Sequence, residues 1–485
     1  MFLPIANAEF AQLLASAGQF DVHKWSEYPE VGRIVSDLNT EILRHRKNIN
    51  PLARNTGQQA VKKHLRVLIL DLYVASKCPN PWRGISKHKP DYQKKSRYRK
   101  IFLTYDYLIP LIDDLTELGY IEQHLGFHPH DGRPGFRTRI RATSKLLELI
   151  ESPDIGLNNI INEAGMLKVI VDNPAAERET IILRDDNKHP VEYEDTNETI
   201  TMRKNLQILN NHIAKARITL HVTDKQFVAL EQILSGKENE DSEHIDFSRK
   251  SLVRVFNGDF EHGGRFYGGW WIGLPKEYRK YIEINHKNTV EVDYSAHHLR
   301  ILYALDGLIP PDDAYNWDGC PYERDILKQV FLIMINAKNR KSTVKACSFK
   351  KVPEADAIVE SLEVYHNQIA HHFHSGIGTY LQYRDSLVAE QVMLRMKDLG
   401  AIVLPVHDSF IVRNSYEDEL KQVMENVFVE QFGIKAKHKT KDNIYELNSK
   451  KNNNANMFVE ESLAEIYEEL YGNNYSKYRY LWGIN

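Results

Sequence analysis

Two aspartates, Asp293 and Asp408, each stand at the end of an apolar, β-branched run. Asp408 lies in Ala401-Ile402-Val403-Leu404-Pro405-Val406-His407-Asp408-Ser409-Phe410-Ile411-Val412, a pattern that predicts a β-hairpin with a charged turn. Asp293 closes Thr289-Val290-Glu291-Val292-Asp293-Tyr294-Ser295, and a helical stretch, His297 to Tyr303, follows it. If the two strands lie side by side, the carboxylates come within reach of one another and their joint charge calls for a cation. Two Mg²⁺ ions about 3.5–4 Å apart would suit in-line phosphoryl transfer. Either aspartate alone reads more readily as a turn residue that bonds to nearby backbone.

The residues around this pair carry a resemblance. Asp293-Tyr294-Ser295 followed by Leu299-Arg300 resembles motif A of the family A DNA polymerases, and Val406-His407-Asp408-Ser409-Phe410 resembles motif C in the His-Asp-Ser form of the single-subunit, phage-type RNA polymerases. Gly263-Gly264-Arg265-Phe266-Tyr267-Gly268 is similar to the Gly-Arg motif that precedes motif A in both groups. Glycines flanking an arginine also let backbone approach a phosphate while the guanidinium bonds it in bidentate fashion. Arg324 and Lys328, one turn apart on a predicted helix with Leu332 and Asn336, resemble motif B.

The resemblance covers roughly residues 250 to 415 and implies roles. Asp293 and Asp408 would be catalytic and hold both metal ions, while Arg324 and Lys328 would grip the triphosphate of the incoming nucleotide. Tyr294, His298 and Asn336 would also face the nucleotide, with His298 standing where the DNA enzymes carry a glutamate that excludes a 2′-hydroxyl. Arg265, Gln382, Arg384 and His407 would contact template or primer. Leu332 and Asn336-Ala337 depart from the aromatic and Tyr-Gly that the family carries on this helix. A second basic run, from Lys338 through Lys351, could line a nucleic-acid channel or form a solvated helix face.

The chain has 485 residues and a formal net charge of −3. That length allows two or three domains, and that balance leaves nucleic-acid binding to local patches of lysine and arginine. Cys78, Cys320 and Cys347 are odd in number and far apart, against disulfides and for a reducing cytoplasm. His366, His371, His372 and His374 cluster, but no cysteine or carboxylate at a familiar spacing completes a zinc site. No stretch reads as a signal peptide or a membrane span.

Ahead of the aspartates, an apolar helix from His64 ends before Cys78-Pro79-Asn80-Pro81. Thr104 is placed to cap a second helix that stops at Gly119. Two strands follow, around a turn rich in glycine, proline and basic residues. Helix, helix and basic ribbon form the pattern of a winged helix-turn-helix, in which Arg133, Arg137 and Arg139 would meet phosphate. The same fold used for protein contacts would leave those arginines solvated.

These readings combine into an α+β chain: a helical segment over 1–60, a winged helix-turn-helix over 61–150, and over 151–200 a linker with the first strands of the next domain. A right-hand polymerase palm, an antiparallel sheet with helices and small helical fingers, takes 201–445, and a linker with a C-terminal helix and tail takes 446–485. The expected activity is template-directed nucleotidyl transfer by a DNA polymerase or primase-polymerase. DNA template and primer, nucleoside triphosphates and Mg²⁺, with Mn²⁺ as substitute, would be its partners and cofactors. Replication of a plasmid, phage or mobile element, with the proteins that serve it, suits that architecture by analogy alone. A phage-type RNA polymerase and a non-catalytic DNA-binding replication or regulatory protein with a structural palm are the alternatives. A His-Asp metal phosphohydrolase ranks last, since that chemistry normally sets the pair on a helix.

Overall fold

The computed structural model describes residues 8–50, 57–76, 78, 80–93, 96–99, 103–126, 137–151, 171–172, 178–235 and 249–441. Arg133, much of the turn beside it, and the expected segment 446–485 lie outside these residues.

Among the N-terminal residues, helix Pro29–Ile49 packs on helix Gln58–Ala75, which is buried along most of its length, and helix Tyr105–Glu117 packs against both. A four-stranded sheet lies beside them, with Arg83–Ile85 between Gly18–Gln19 and Thr138–Ala142, and Ile121–His124 at the far edge. Helix Pro29–Ile49 and helix Gln58–Ala75, either side of residue 57, thus share one packing surface. Thr104 does occupy the N-cap position, but its side chain makes no capping bond; its backbone N–H donates to His64 Nε2 instead (2.9 Å). Gly119 ends the helix with φ 79°, the left-handed conformation in which glycine is at no steric cost.

The sequence pattern of 202–234 is helical throughout, yet this stretch and its flanks form helix Asn197–Ala214, strand Ile218–Leu220 and helix Asp224–Ser235. Ile218-Thr219-Leu220 is fully buried and pairs with Ile282–Ile284, so sheet pairing overrides a local pattern that looked continuous. Val253–Asn257 pairs with Ile181–Arg184 on one side and Gly263–Tyr267 on the other.

The larger sheet is built around Lys287–Tyr294. On one side it pairs antiparallel with Ser409–Arg413, and on the other with Ile282–Ile284 at its start and His438–Thr440 at its end. Val290, Val292 and Tyr294 are buried, and burying each such side chain contributes about 1.5–3 kcal/mol. Leu404–Val406 completes the expected hairpin and is an edge strand, where Pro405 interrupts no inner ladder. Helix Glu417–Phe432 packs on this sheet, helix Gly378–Asp398 packs on strand Gly263–Tyr267 and on Glu417–Phe432, and helix His297–Leu305 packs against both of those helices. Between the first two, helices Arg324–Asn336, Arg340–Phe349 and Ala355–Tyr365 form an insertion. The fold is mixed α and β, with its strands gathered into sheets that helices cover.

Candidate active site

Asp293 and Asp408 meet at the end of the antiparallel pair. Asp293 lies opposite Ser409, and the Tyr294 N–H donates to the Asp408 carbonyl (3.2 Å). Both strands leave this point through non-glycine residues in left-handed conformation, Ala296 at φ 53° and His407 at φ 58°. Each costs of order 1–3 kcal/mol, and such strain gathers at functional sites.

The Asp293 side chain is 28% exposed, and its Oδ1 is buried without a hydrogen-bond partner. Burial, then the neighbouring Asp408 carboxylate, push its pKa from 3.8 up to about 6; Glu291 adds to the effect, and Lys441 and Lys328 oppose it. Glu291, two residues before Asp293, shares its strand face and accepts from Ser409 Oγ (2.6 Å). The Lys441 ammonium pairs with Glu291 and lies 3.5 Å from Asp293 Oδ2, while Arg279 lies 3.3 Å from Glu291. An underprotected pair of carboxylates with an orphan buried oxygen fits a hard divalent cation with oxygen ligands.

Immediately behind the pair, charge is balanced. Arg265 Nε donates to Asp385 Oδ2 (2.9 Å), its Nη2 lies 3.2 Å from His298 Nε2, and His297 Nε2 lies 3.1 Å from Asp385 Oδ1. Burial alone would raise the Asp385 pKa, but Arg265 and His297 hold it well below the usual carboxylate range. Burial lowers His298 to about 4 and keeps its ring neutral. Beneath them the fully buried Arg254 donates to the Gly264 carbonyl, Glu390 and Ser386, tying strand to helix Gly378–Asp398.

These contacts revise several expected roles. Gly264 serves packing more directly than phosphate approach: a Cβ there would stand 2.7 Å from the Phe256 ring and 2.9 Å from Ser386 Oγ. Arg265 is engaged with Asp385 and His298, as a residue that positions the site. Tyr294 is buried, stacks on His297 and donates its hydroxyl to the Met424 carbonyl (2.7 Å), so it belongs to the core. His407 sits in the hairpin turn with its ring edge-on to Tyr267.

Arg324, Lys328, Leu332 and Asn336 form the expected exposed stripe. Arg324 Nε lies 3.5 Å from Asp313, and Lys328 reaches the Asp293 carboxylate electrostatically. Lys328, Leu332 and Asn336 line a cavity of about 930 Å³ with Ser342, Ala346 and Lys350. Asn336 donates to the Leu332 carbonyl (2.7 Å) and abuts the start of helix Gly378–Asp398, where any side chain at Gly378 would collide with it. Asn336 and Gln382 also line a larger cleft of about 1280 Å³ with Arg184, Lys188, Lys338 and Tyr267. Arg384 instead donates to the Tyr380 hydroxyl and lies over the Phe432 ring.

The N-terminal basic side chains are mostly committed. Arg139 is buried and donates to the Leu14 and Arg137 carbonyls; Arg137 donates to Gln19. Arg141 is bidentate on Glu122, Lys87 pairs with Asp113 and Lys89 with Asp106. Helix Tyr105–Glu117 carries Asp106, Asp113, Asp114 and Glu117 and no lysine or arginine, and those carboxylates pair with Lys89, Lys87, Arg46 and His45 respectively.

Sequence reasoning passed over Glu291, His297, Asp385 and Lys441. The alternation of the Asp293 strand could have found Glu291, and a charge on the apolar stripe Leu381-Asp385-Val388-Val392 could have found Asp385. Lys441 had no local signal.

No family model matches the chain, and no curated protein does. Among solved structures, the POL domain of Pol1 from M. smegmatis, in complex with DNA primer-template and dNTP, aligns over 89% of this chain and 67% of its own, with 10% identity and a TM-score of 0.25. A superposition that loose carries nothing about substrate or chemistry. Among the described residues, no helix is long and apolar enough to cross a membrane.

Proposed function

We propose that the chain is a template-directed nucleotidyltransferase, a DNA polymerase or primase-polymerase, whose catalytic residues are Asp293 and Asp408. The observation that carries this reading is the cross-strand meeting of two carboxylates, one with its pKa pushed up to about 6 and an oxygen left unbonded, in electrostatic reach of Lys328. Asp293 and Asp408 would hold two Mg²⁺ ions, which when bound supply a more acidic primer 3′-hydroxyl and charge neutralisation for the leaving pyrophosphate.

The chain's own groups do the rest. Lys328 and Arg324, on the exposed face of the insertion's first helix, bind the triphosphate and offset its charge. Arg265 and Asp385 fix the neutral His298 behind the aspartates, where its bulk limits the sugar. Gln382, Asn336 and Lys338 offer polar and basic contacts for primer-template along the larger cleft. The N-terminal module is read as a winged helix-turn-helix, and the engagement of Arg137, Arg139 and Arg141 with groups of this chain supports its use for protein contact over phosphate contact.

Primer extension tests the reading. Full-length protein is given DNA or RNA templates, dNTPs or rNTPs, and Mg²⁺ or Mn²⁺, beside Asp293→Ala and Asp408→Ala. Extension by wild type that both variants lose supports it, and the nucleotide used decides between DNA synthesis and a phage-type RNA polymerase. No extension under any condition, with DNA still bound, favours the non-catalytic binding protein.

A further inference from the structure

The histidines that lacked a completing ligand in the sequence find one across the fold. Asp306, the residue that ends helix His297–Leu305, directs one carboxylate oxygen at each of two adjacent imidazoles: Oδ1 lies 2.9 Å from His372 Nε2, and Oδ2 lies 3.3 Å from His371 Nε2. The imidazole rings lie 4.1 Å apart, and one ligand atom from each residue falls within 4.8 Å of the others. Ligand atoms bonded to one tetrahedral ion at about 2.1 Å stand roughly 3.4 Å apart, so the three need little movement to share one. His366 and His374 are spoken for, the first by Tyr303 and the Ala314 carbonyl, the second by Thr343 and Glu363.

Two further observations point to a cation. Asp306 Oδ2 is buried and receives no hydrogen bond, although His371 Nε2 is close by. A carboxylate at the C-terminus of a helix also faces the negative end of its dipole, an unfavourable place without positive charge beside it.

We propose that Asp306, His371 and His372 bind a single transition-metal ion, Zn²⁺ by donor type, with water in the remaining position. Two imidazoles and a carboxylate suit zinc, whereas the all-oxygen aspartate pair suits Mg²⁺, so the two sites select different metals. Position gives the ion a structural task. The helical insertion that carries Arg324 and Lys328 leaves the sheet domain after Asp306 and returns at His371, so the ion closes the neck of that insertion. This inference stands independently of the reaction assigned to Asp293 and Asp408.

The test is metal binding by the full-length protein after chelator treatment, read by titration calorimetry with Zn²⁺ and by the visible spectrum with Co²⁺. His371 is the first substitution, because its side chain is 62% exposed and the His372–Asp306 contact survives its loss. Wild type is expected to bind one equivalent with an intense low-coordinate Co²⁺ band. His371→Ala should keep its circular dichroism and lose more than about 100-fold in affinity, since even outer partners of a metal site are worth about 10–100-fold. His372→Ala and Asp306→Asn should lose the equivalent too, and Asp293→Asn should keep it. Equal Zn²⁺ uptake by wild type, His371→Ala and His372→Ala, or a Co²⁺ spectrum no different from the aquo ion, would overturn the proposal.

Discussion

Asp385 and Asp293 lie in one neighbourhood and experience opposite surroundings. Asp385 is enclosed by Arg265 and His297, and its carboxyl is held ionised far below the usual range. Asp293 faces Asp408 and Glu291, and its carboxyl is pushed up to about 6. Burial raises both, so the partners decide the outcome. A closed set of charges fixes geometry. The open Asp293–Asp408 set, even with the Lys441 ammonium 3.5 Å from Asp293 Oδ2, leaves Asp293 Oδ1 unbonded and a surplus of negative charge that a cation would offset.

The sharpest way to break the comparison is to remove the open set. Asp293→Ala or Asp408→Ala should reduce nucleotidyl transfer by more than about 10⁴-fold, roughly 5.5 kcal/mol of barrier, without lowering the melting temperature. A variant that keeps a tenth of the wild-type rate would sink the assignment. Removing the closed set should do the reverse. Asp385→Asn leaves the partly buried Arg265 uncompensated and should cost about 3 kcal/mol in denaturant unfolding, while Asp385→Leu combined with Arg265→Met should recover much of it. If Asp385→Asn unfolds like wild type, the balanced-charge account is wrong.

Acidity sharpens the contrast further. In chelator the folded protein holds the Asp293 proton more tightly than the unfolded chain, with a pKa of about 6 against 3.8. That contribution to stability is present at low pH and is lost as pH rises through about 6, up to about 2–3 kcal/mol in all. Asp293→Asn should remove this slope, so the wild-type minus variant difference should grow between about pH 4 and 6 and then stay level. A difference that is flat throughout would count against it, and Mg²⁺ should restore the wild type above pH 6. The smallest effect is expected at Lys328, which is exposed and pairs with nothing structural. Lys328→Ala should raise KM for the nucleotide about 10–100-fold, the worth of one charge-assisted contact, and leave stability within about 0.5 kcal/mol.

The open set was legible in the sequence because each aspartate ends its own β-branched run, and a strand's alternation is a local property. The hairpin was legible for the same reason, and the spacing of Arg324, Lys328, Leu332 and Asn336 along one helix is likewise local. The closed set was not. Arg265 looked like a phosphate ligand because its partner Asp385 is 120 residues away in the chain, and nothing local announces such a pairing. Arg139 misled in the same way: a basic residue on a predicted wing looks solvated until the Leu14 carbonyl, 125 residues away, is found accepting its N–H. Ile218–Leu220 was absorbed into a long helix because its pairing with Ile282–Ile284 is equally remote.

The pairing of Thr289–Asp293 with Ser409–Arg413 has a kinetic consequence as well. Glu291 and Ser409, which bond across it, are separated by 118 residues, and the insertion lies between them. Contacts of such long range form slowly, because chain entropy is lost before they can offset it. The hairpin and the flanking helices can assemble early from local contacts, whereas the two aspartates become neighbours only when this last pairing closes. A nascent or partly folded chain therefore carries two separated, solvated carboxylates, and the Mg²⁺ site proposed between them would exist only once folding is nearly complete.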